Sequence, residues 1–365
     1  MIRIRSGVVL DRAREWAGAI EVSVQLTDGI PVRALAYADV VGSPAVGERV
    51  LLNVTALERG LGTGGLALVT ALPDRADADQ PAGPPPGAPG HLVKARYTPL
   101  QTMVLGVDEQ ESPHHALLAE ADDLAGLPVV VADLHSALPA IVAGVLEQAP
   151  GARIAYLMTD GGALPVAFSR TVAALRAADA LTTCISVGQA YGGDLEAVTV
   201  HSGLLAARLV TGSDVAVVAQ GPGNLGTGTR WGFSGVIAGE AVNAAATLGG
   251  RPVASLRISG ADARERHRGI SHHSRTAYGR VALVAAALPV PLLPGDLGAL
   301  VDAQARDLVD ASGGRLVRHD ILLGGLEEAI GRSPVTVRTM GRSYADDPAS
   351  FLAAAAAGRY AASLL

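Results

Sequence analysis

The chain has 365 residues, a formal net charge of -6, one cysteine, and 49% hydrophobic residues against only 3% aromatic ones. That length allows a sizeable core, and the acidic balance without a basic run argues against general nucleic-acid binding. A single cysteine rules out a disulfide framework.

The start, MIRIRSGVVLDRAREW, is too charged for a secretory signal, and no apolar run reaches bilayer length. A cytoplasmic setting without membrane association is expected. Residues 1–72 then show β texture. IEVSVQLTDGIPVRALAY alternates apolar and polar positions about Asp28-Gly29, a dipeptide suited to a two-residue hairpin turn. GERVLLNVTAL supplies another short strand. A small N-terminal β-barrel-like domain of SH3 or OB type is predicted. It lacks interleaved aromatic and basic residues, so a structural or docking role is expected over oligonucleotide binding. Residues 73–90, PDRADADQPAGPPPGAPG, have nothing to bury and predict a Pro/Gly-rich linker.

Residues 91–365 alternate short apolar runs with helical stretches. The strand candidates are PVVVAD, RIAYLMTD, TTCISVG, DVAVVAQ, PVASLRIS, PVPLLPG, RLVRHD and VTVRTM. SALPAIVAGVLEQA, PVAFSRTVAALRAAD and DLGALVDAQARDLVDAS repeat their apolar residues at helical spacing. This order predicts an α/β domain with a mainly parallel sheet and helices on both faces, doubly wound. A β/α barrel is the alternative. Cys184, in LTTCISV, reads as a small buried hydrophobe. His114 and His115 read as a helix start, and His201 as a packed helix histidine.

Both architectures bind ligands at the carboxyl ends of parallel strands. There the sequence delivers Asp133 and His135 after the first strand, Asp160 after the second, Gly188 and Gln189 after the third, and Arg257 and Ser259 after the fifth. After the fourth comes VVAQGPGNLGTGTRWGFSG, with six glycines in nineteen positions. Its G-x-G-x-x-G match is weak as a dinucleotide fingerprint, because Pro222 sits inside the turn, and no lysine follows Gly226 to make a Walker loop. Bare amides near a helix start still suit an anion. Gly221, Gly223, Asn224, Gly226, Gly228, Thr229 and Arg230 are therefore candidate ligand-binding residues. The competing reading is a tight turn that lets helix and sheet approach closely.

Residues 257–280 carry six arginines and three of the nine histidines. Arg257, Arg264, His267, Arg268 and His273 are added as candidates for holding an anionic ligand. Ser271 reads as a helix N-cap, with His272 and His273 in the first turn. Asp133, His135, Asp160 and His272 are the candidate catalytic residues, and Asp133, His135 and Asp160 the candidate ligands of a divalent metal. Neighbouring helix positions point about 100° apart, so His272 and His273 are not expected to share one ion.

GHLVKARYTPLQ, GVDEQESPHH, QGPGNLGTGTRWGFSG and RERHRGISHHS together resemble the bacterial family known as domain of unknown function 3866, over nearly the whole chain. The resemblance marks the glycine loop and the SHH segment as defining features and implies no reaction. The expected function is an enzyme, hydrolase or transferase, that binds a phosphate- or carboxylate-bearing small molecule. The alternatives are a non-catalytic ligand sensor or assembly protein and, more weakly, a nucleotide-cofactor oxidoreductase. A homodimer is the base-rate expectation for a chain of this kind.

Overall fold

The computed structural model of the chain describes residues 1–75, 87–159 and 162–365. Most of the Pro/Gly-rich stretch, and the candidate site residue Asp160, lie outside them. Contacts divide the chain into one unit of Met1–Val104 with Ala167–Ala173, and another of Leu105–Val166 with Ala174–Leu365.

The first unit is a closed five-stranded barrel of β1 (Ile4–Trp16), β2 (Ala19–Leu26), β3 (Pro31–Tyr37), β4 (Arg49–Asn53) and β5 (Ala67–Ala71). The order is β1-β2-β3-β5-β4, with β4 back on β1 and β3 parallel to β5, the arrangement of an OB-type Greek-key barrel. Alternation along each strand turns Val22, Val24, Ala34, Ala36, Val50, Leu52 and Val69 inward. The β2–β3 turn differs from the expected two-residue form. Leu26 closes the loop by donating its N–H to Ile30 and accepting the N–H of Gly29. Gly29 alone takes a left-handed φ, of 85°. This is the three-residue turn with a bulge, in which only the last position needs glycine.

The second unit is built on an eight-stranded parallel sheet. Its strands are β6 (Pro128–Ala132), β7 (Ile154–Thr159), β8 (Thr183–Val187), β9 (Leu195–Ala197), β10 (Val215–Gln220), β11 (Arg251–Ala254), β12 (Ala286–Pro291) and β13 (Leu316–Ile321). The order is β9-β8-β7-β10-β6-β11-β12-β13. The sheet is open, with β9 and β13 at its edges, so the domain is doubly wound and the barrel alternative is excluded. β6, β7, β8 and β10 are buried throughout, as a sheet covered on both faces requires.

VTVRTM does not join this sheet. Arg338–Thr339 pairs only with Arg342–Ser343, across a turn whose Met340 and Gly341 both have positive φ. The eighth place belongs to β9. That strand has only three residues, and its Glu196 is buried against the Ser186 hydroxyl and the Gly192 amide.

Four long helices cover the sheet: α1 (Leu138–Gln148), α2 (Ile237–Thr247), α3 (Gly295–Ala311) and α4 (Pro348–Ala362). α1 packs on α4, whereas α2 and α3 both pack on the turn at Ala277–Val281. The chain leaves β6 towards the β9 edge but leaves β10 in the other direction, past β6. Right-handed crossovers then place α1 and α2 on opposite faces. A crevice therefore opens where the carboxyl ends of β6, β10 and β11 lie side by side. No helix among the described residues is long and apolar enough to cross a membrane.

Candidate functional site

Each of these strand ends supplies a polar side chain to the crevice. Asp133 follows β6 and is 3% exposed. Gln220 ends β10, and its amide nitrogen donates to the Asp133 carbonyl at 2.7 Å and to Asn224 Oδ1 at 3.1 Å. Arg257 follows β11, with its Nη1 3.8 Å from Asp133 Oδ2 and 3.1 Å from His273 Nδ1. Beneath them the buried Tyr278 hydroxyl bridges the Val131 and Ser255 carbonyls at 2.7 and 3.1 Å. That bridge ties β6 to the segment leaving β11, and so fixes the distance from Asp133 to Arg257.

The glycine loop closes over one side of the crevice and is folded on itself. Gly226 bridges Phe233, Thr227 N–H donates to Gly232 O, and Gly232 N–H donates to Thr229 Oγ1. Thr229 thus serves the loop. Gly226 is a non-hydrogen-bonded member of an antiparallel pair, so its own amide points away from the partner segment. Gly221 is packed on Leu164 and Met158, Gly223 is exposed, and Arg230 lies at the exposed tip beside Trp231. A Cβ at Gly228 would stand 3.7 Å from Arg266 Nη2, so the loop and the basic segment adjoin. Gly235 meets the site more closely: a Cβ there would touch Asp133 Cβ and O at 3.0 Å. Several of the glycines therefore serve close approach.

The histidines come from the segment after β11. Ser271 caps the helix His272–Thr276 by accepting the His273 N–H at 3.2 Å, and its hydroxyl also meets His267 Nδ1 at 2.8 Å. The ring centroids of His267, His272 and His273 lie 4.4 to 5.0 Å apart. The two neighbouring histidines thus converge, against the expectation from helical spacing, because in the first turn their rings lean together over His267. Phe233, from the end of the glycine loop, stacks on His273 with centroids 3.8 Å apart and planes within 4°. Burial, with help from nearby arginines, lowers His267 to about 3 and His272 to about 4, so both are neutral at pH 7.

Other candidates are placed elsewhere. Arg264 is held by Asp262 through Nε and Nη2, both at 2.9 Å, and Arg268 is exposed. His135 is buried with Nδ1 3.0 Å from the Tyr156 hydroxyl, whose own proton goes to the Ala219 or Gln220 carbonyl. The hydroxyl therefore accepts from His135 Nδ1–H. His201 is exposed, and not the packed helix histidine expected from its surroundings. Cys184 is buried, and burial pushes its thiol up, as a small hydrophobe should show.

Burial lowers His135 to about 4, which makes a stability prediction. The unfolded chain, with an ordinary histidine near 6.5, binds the proton first as pH falls. The contribution of His135 is complete above pH 6.5 and is lost progressively towards pH 4, to a total of about 3 kcal/mol. In urea titrations across that range, His135→Gln should flatten the acid limb relative to wild type. An unchanged slope would contradict the assignment.

Gln220, Thr159 and Phe233 belong to the site but were not expected from sequence. Five buried side-chain polar atoms of the described residues lack a hydrogen-bond partner among them. Four are here: Asp133 Oδ2, Thr159 Oγ1, Gln220 Oε1 and His272 Nε2. Thr159 and Gln220 are register partners at the ends of β7 and β10. A cleft of about 30 Å³ beside Asp133 and Arg257, also lined by Ser136, Ser259 and Arg342, has room for a water molecule.

Comparison with curated proteins and with solved structures finds no match to this chain. The family model described as protein of unknown function (DUF3866) matches residues 33–358. That span takes in the loop, the capped histidine helix and every strand of the parallel sheet, and the chain belongs to the DUF3866 family.

Proposed function

We propose that the chain is an enzyme, a hydrolase or transferase, acting on a small molecule with a phosphate or carboxylate group, bound where β6, β10 and β11 end. The observation that carries this reading is the group of buried polar atoms that have no hydrogen-bond partner among the described residues. A buried polar atom without a partner costs on the order of 1–3 kcal/mol, and such a cost is characteristic of a site completed by a ligand.

The chemistry of these atoms divides the ligand in two. Asp133 Oδ2 and Gln220 Oε1 are acceptors, and Thr159 Oγ1 can act as one. They suit hydroxyl or amine protons, or the attacking water. The anionic group belongs beside Arg257, which is one-tenth exposed, and towards Arg266 and the outward amide of Gly226. Asp133 is then the base that takes a proton from the nucleophile, with Arg257 holding the charge that develops.

The test is a thermal-shift series with inorganic phosphate, sugar phosphates and small carboxylates. A ligand at about 100 times its Kd adds roughly 2.7 kcal/mol to the native state. Arg257→Lys keeps the charge but loses the planar fork, and should abolish the shift. Any stabilising compound is then followed by NMR for conversion. Asp133→Asn should retain the shift and lose the conversion, whereas a sensor would show the shift and no conversion in either protein. If no anion stabilises the wild type, the reading fails.

A further inference from the structure

We propose that His267, His272 and His273 form a binding site for a divalent transition-metal ion of the zinc class, with Asp133 as the carboxylate that orients His273. The ligand atoms these three residues offer all lie within 4.8 Å of one another. Tetrahedral zinc with histidine nitrogens near 2.0–2.1 Å needs them about 3.4 Å apart, which small side-chain rotations supply. An all-imidazole set suits zinc, cobalt, nickel or copper and is poor for calcium or magnesium.

The groups behind the three rings choose the atoms that would face an ion. His267 has its Nδ1 engaged by Ser271 Oγ at 2.8 Å, which leaves Nε2 to the cluster. His272 Nε2 is buried and without a partner among the described residues. His273 Nδ1 lies 3.4 Å from Asp133 Oδ2, an atom likewise without one. An Nδ1–H directed at that carboxylate would leave the His273 Nε2 lone pair for a metal, the backing by which metal-bound histidines are held and made more basic. Arg257 Nη1 stands 3.1 Å from the same Nδ1, and a guanidinium only donates, so this contact holds the opposite tautomer. Binding an ion therefore moves the Nδ1 partner from Arg257 to Asp133. The stacked Phe233 fixes the plane of the ring while its protons rearrange. His135, expected among the ligands, has its Nδ1 3.0 Å from the Tyr156 hydroxyl.

The proposal does not depend on an anionic ligand. Full-length protein without an affinity tag is stripped with a chelator, then titrated with Zn²⁺ and Co²⁺. One ion per chain is expected, with a rise in Tm and a visible Co²⁺ spectrum of low coordination. His267→Gln and His272→Gln should each weaken binding at least about 100-fold, while His201→Gln, at an exposed histidine, binds as wild type. Zinc X-ray absorption on the wild type should report three imidazole nitrogens, and decides the matter if either variant fails to fold. The proposal is overturned by a wild type that binds no stoichiometric ion, by undiminished affinity in either folded variant, or by an absorption spectrum without three imidazoles. Anion stabilisation of a wild type that binds no stoichiometric ion would remove the metal site and leave the proposed function standing.

Discussion

Gly358→Ala is expected to lower the unfolding free energy by about 3 kcal/mol or more, a large share of the 5–15 kcal/mol typical of a folded domain. A Cβ at Gly358, in α4, would stand 2.0 Å from the Ile141 carbonyl oxygen and 3.0 Å from the Val145 nitrogen, both in α1. The contact is reciprocal: at Gly144 of α1, a Cβ would stand 2.0 Å from the Ala355 oxygen of α4. These obstacles are backbone atoms, so no side-chain rotation relieves them and the helices must move apart. Separation would open the packing around Ala353, Ala354, Ala355 and Ala357, which are buried in α4. Urea unfolding followed by circular dichroism measures the loss. Gly151→Ala, at an exposed position with nothing within 4 Å of the added carbon, is the control and should leave the midpoint within error. An unchanged midpoint for Gly358→Ala would mean that α1 and α4 do not meet at these glycines. The effect should also reach the site, because Phe351 and Ala354 of α4 line the cleft beside Asp133.

The sheet was largely legible because its strands are short apolar runs set between helical periods, and burial on both faces imposes that texture. β9 left no such trace: three residues around a buried glutamate make no apolar run. VTVRTM left a false one, since alternation records a pleated backbone and not the sheet it joins. At the site, Asp133, Arg257 and the SHH segment were readable as polar residues at expected strand ends, and Ser271 as a cap. Gln220 and Phe233 were not. One reads as the last residue of a buried strand and the other as a loop aromatic, and their roles depend on folding that brings residue 220 to Asp133 and residue 233 to His273. The convergence of His272 and His273 was hidden for a different reason. The 100° rule describes Cα–Cβ directions, whereas imidazoles extend far enough beyond Cβ to lean back together in a one-turn helix.

Replacing Asp133 and Arg257 together should cost far less than replacing either alone. Both side chains are nine-tenths or more buried, and their charged atoms stand 3.8 Å apart, beyond hydrogen-bond range. Arg257→Met leaves a carboxylate in the interior without its counter-charge, and Asp133→Leu leaves a guanidinium in the same position. Each should destabilise by about 3 kcal/mol, at the lower end for a broken buried pair, because the geometry is loose. The double variant leaves neither charge stranded. It should lie within about 1 kcal/mol of wild type, giving a coupling energy of several kcal/mol in the double-mutant cycle. The same protein should be unresponsive to any anion found to stabilise wild type, since the guanidinium proposed to hold it is gone. Fold and site would thereby be separated, with the pair of little benefit to stability and available to the proposed chemistry. If the double variant instead loses the sum of the two single losses, Asp133 and Arg257 act independently. They would then be structural charges, each with partners of its own, and the crevice would lose the pair on which the proposed chemistry rests.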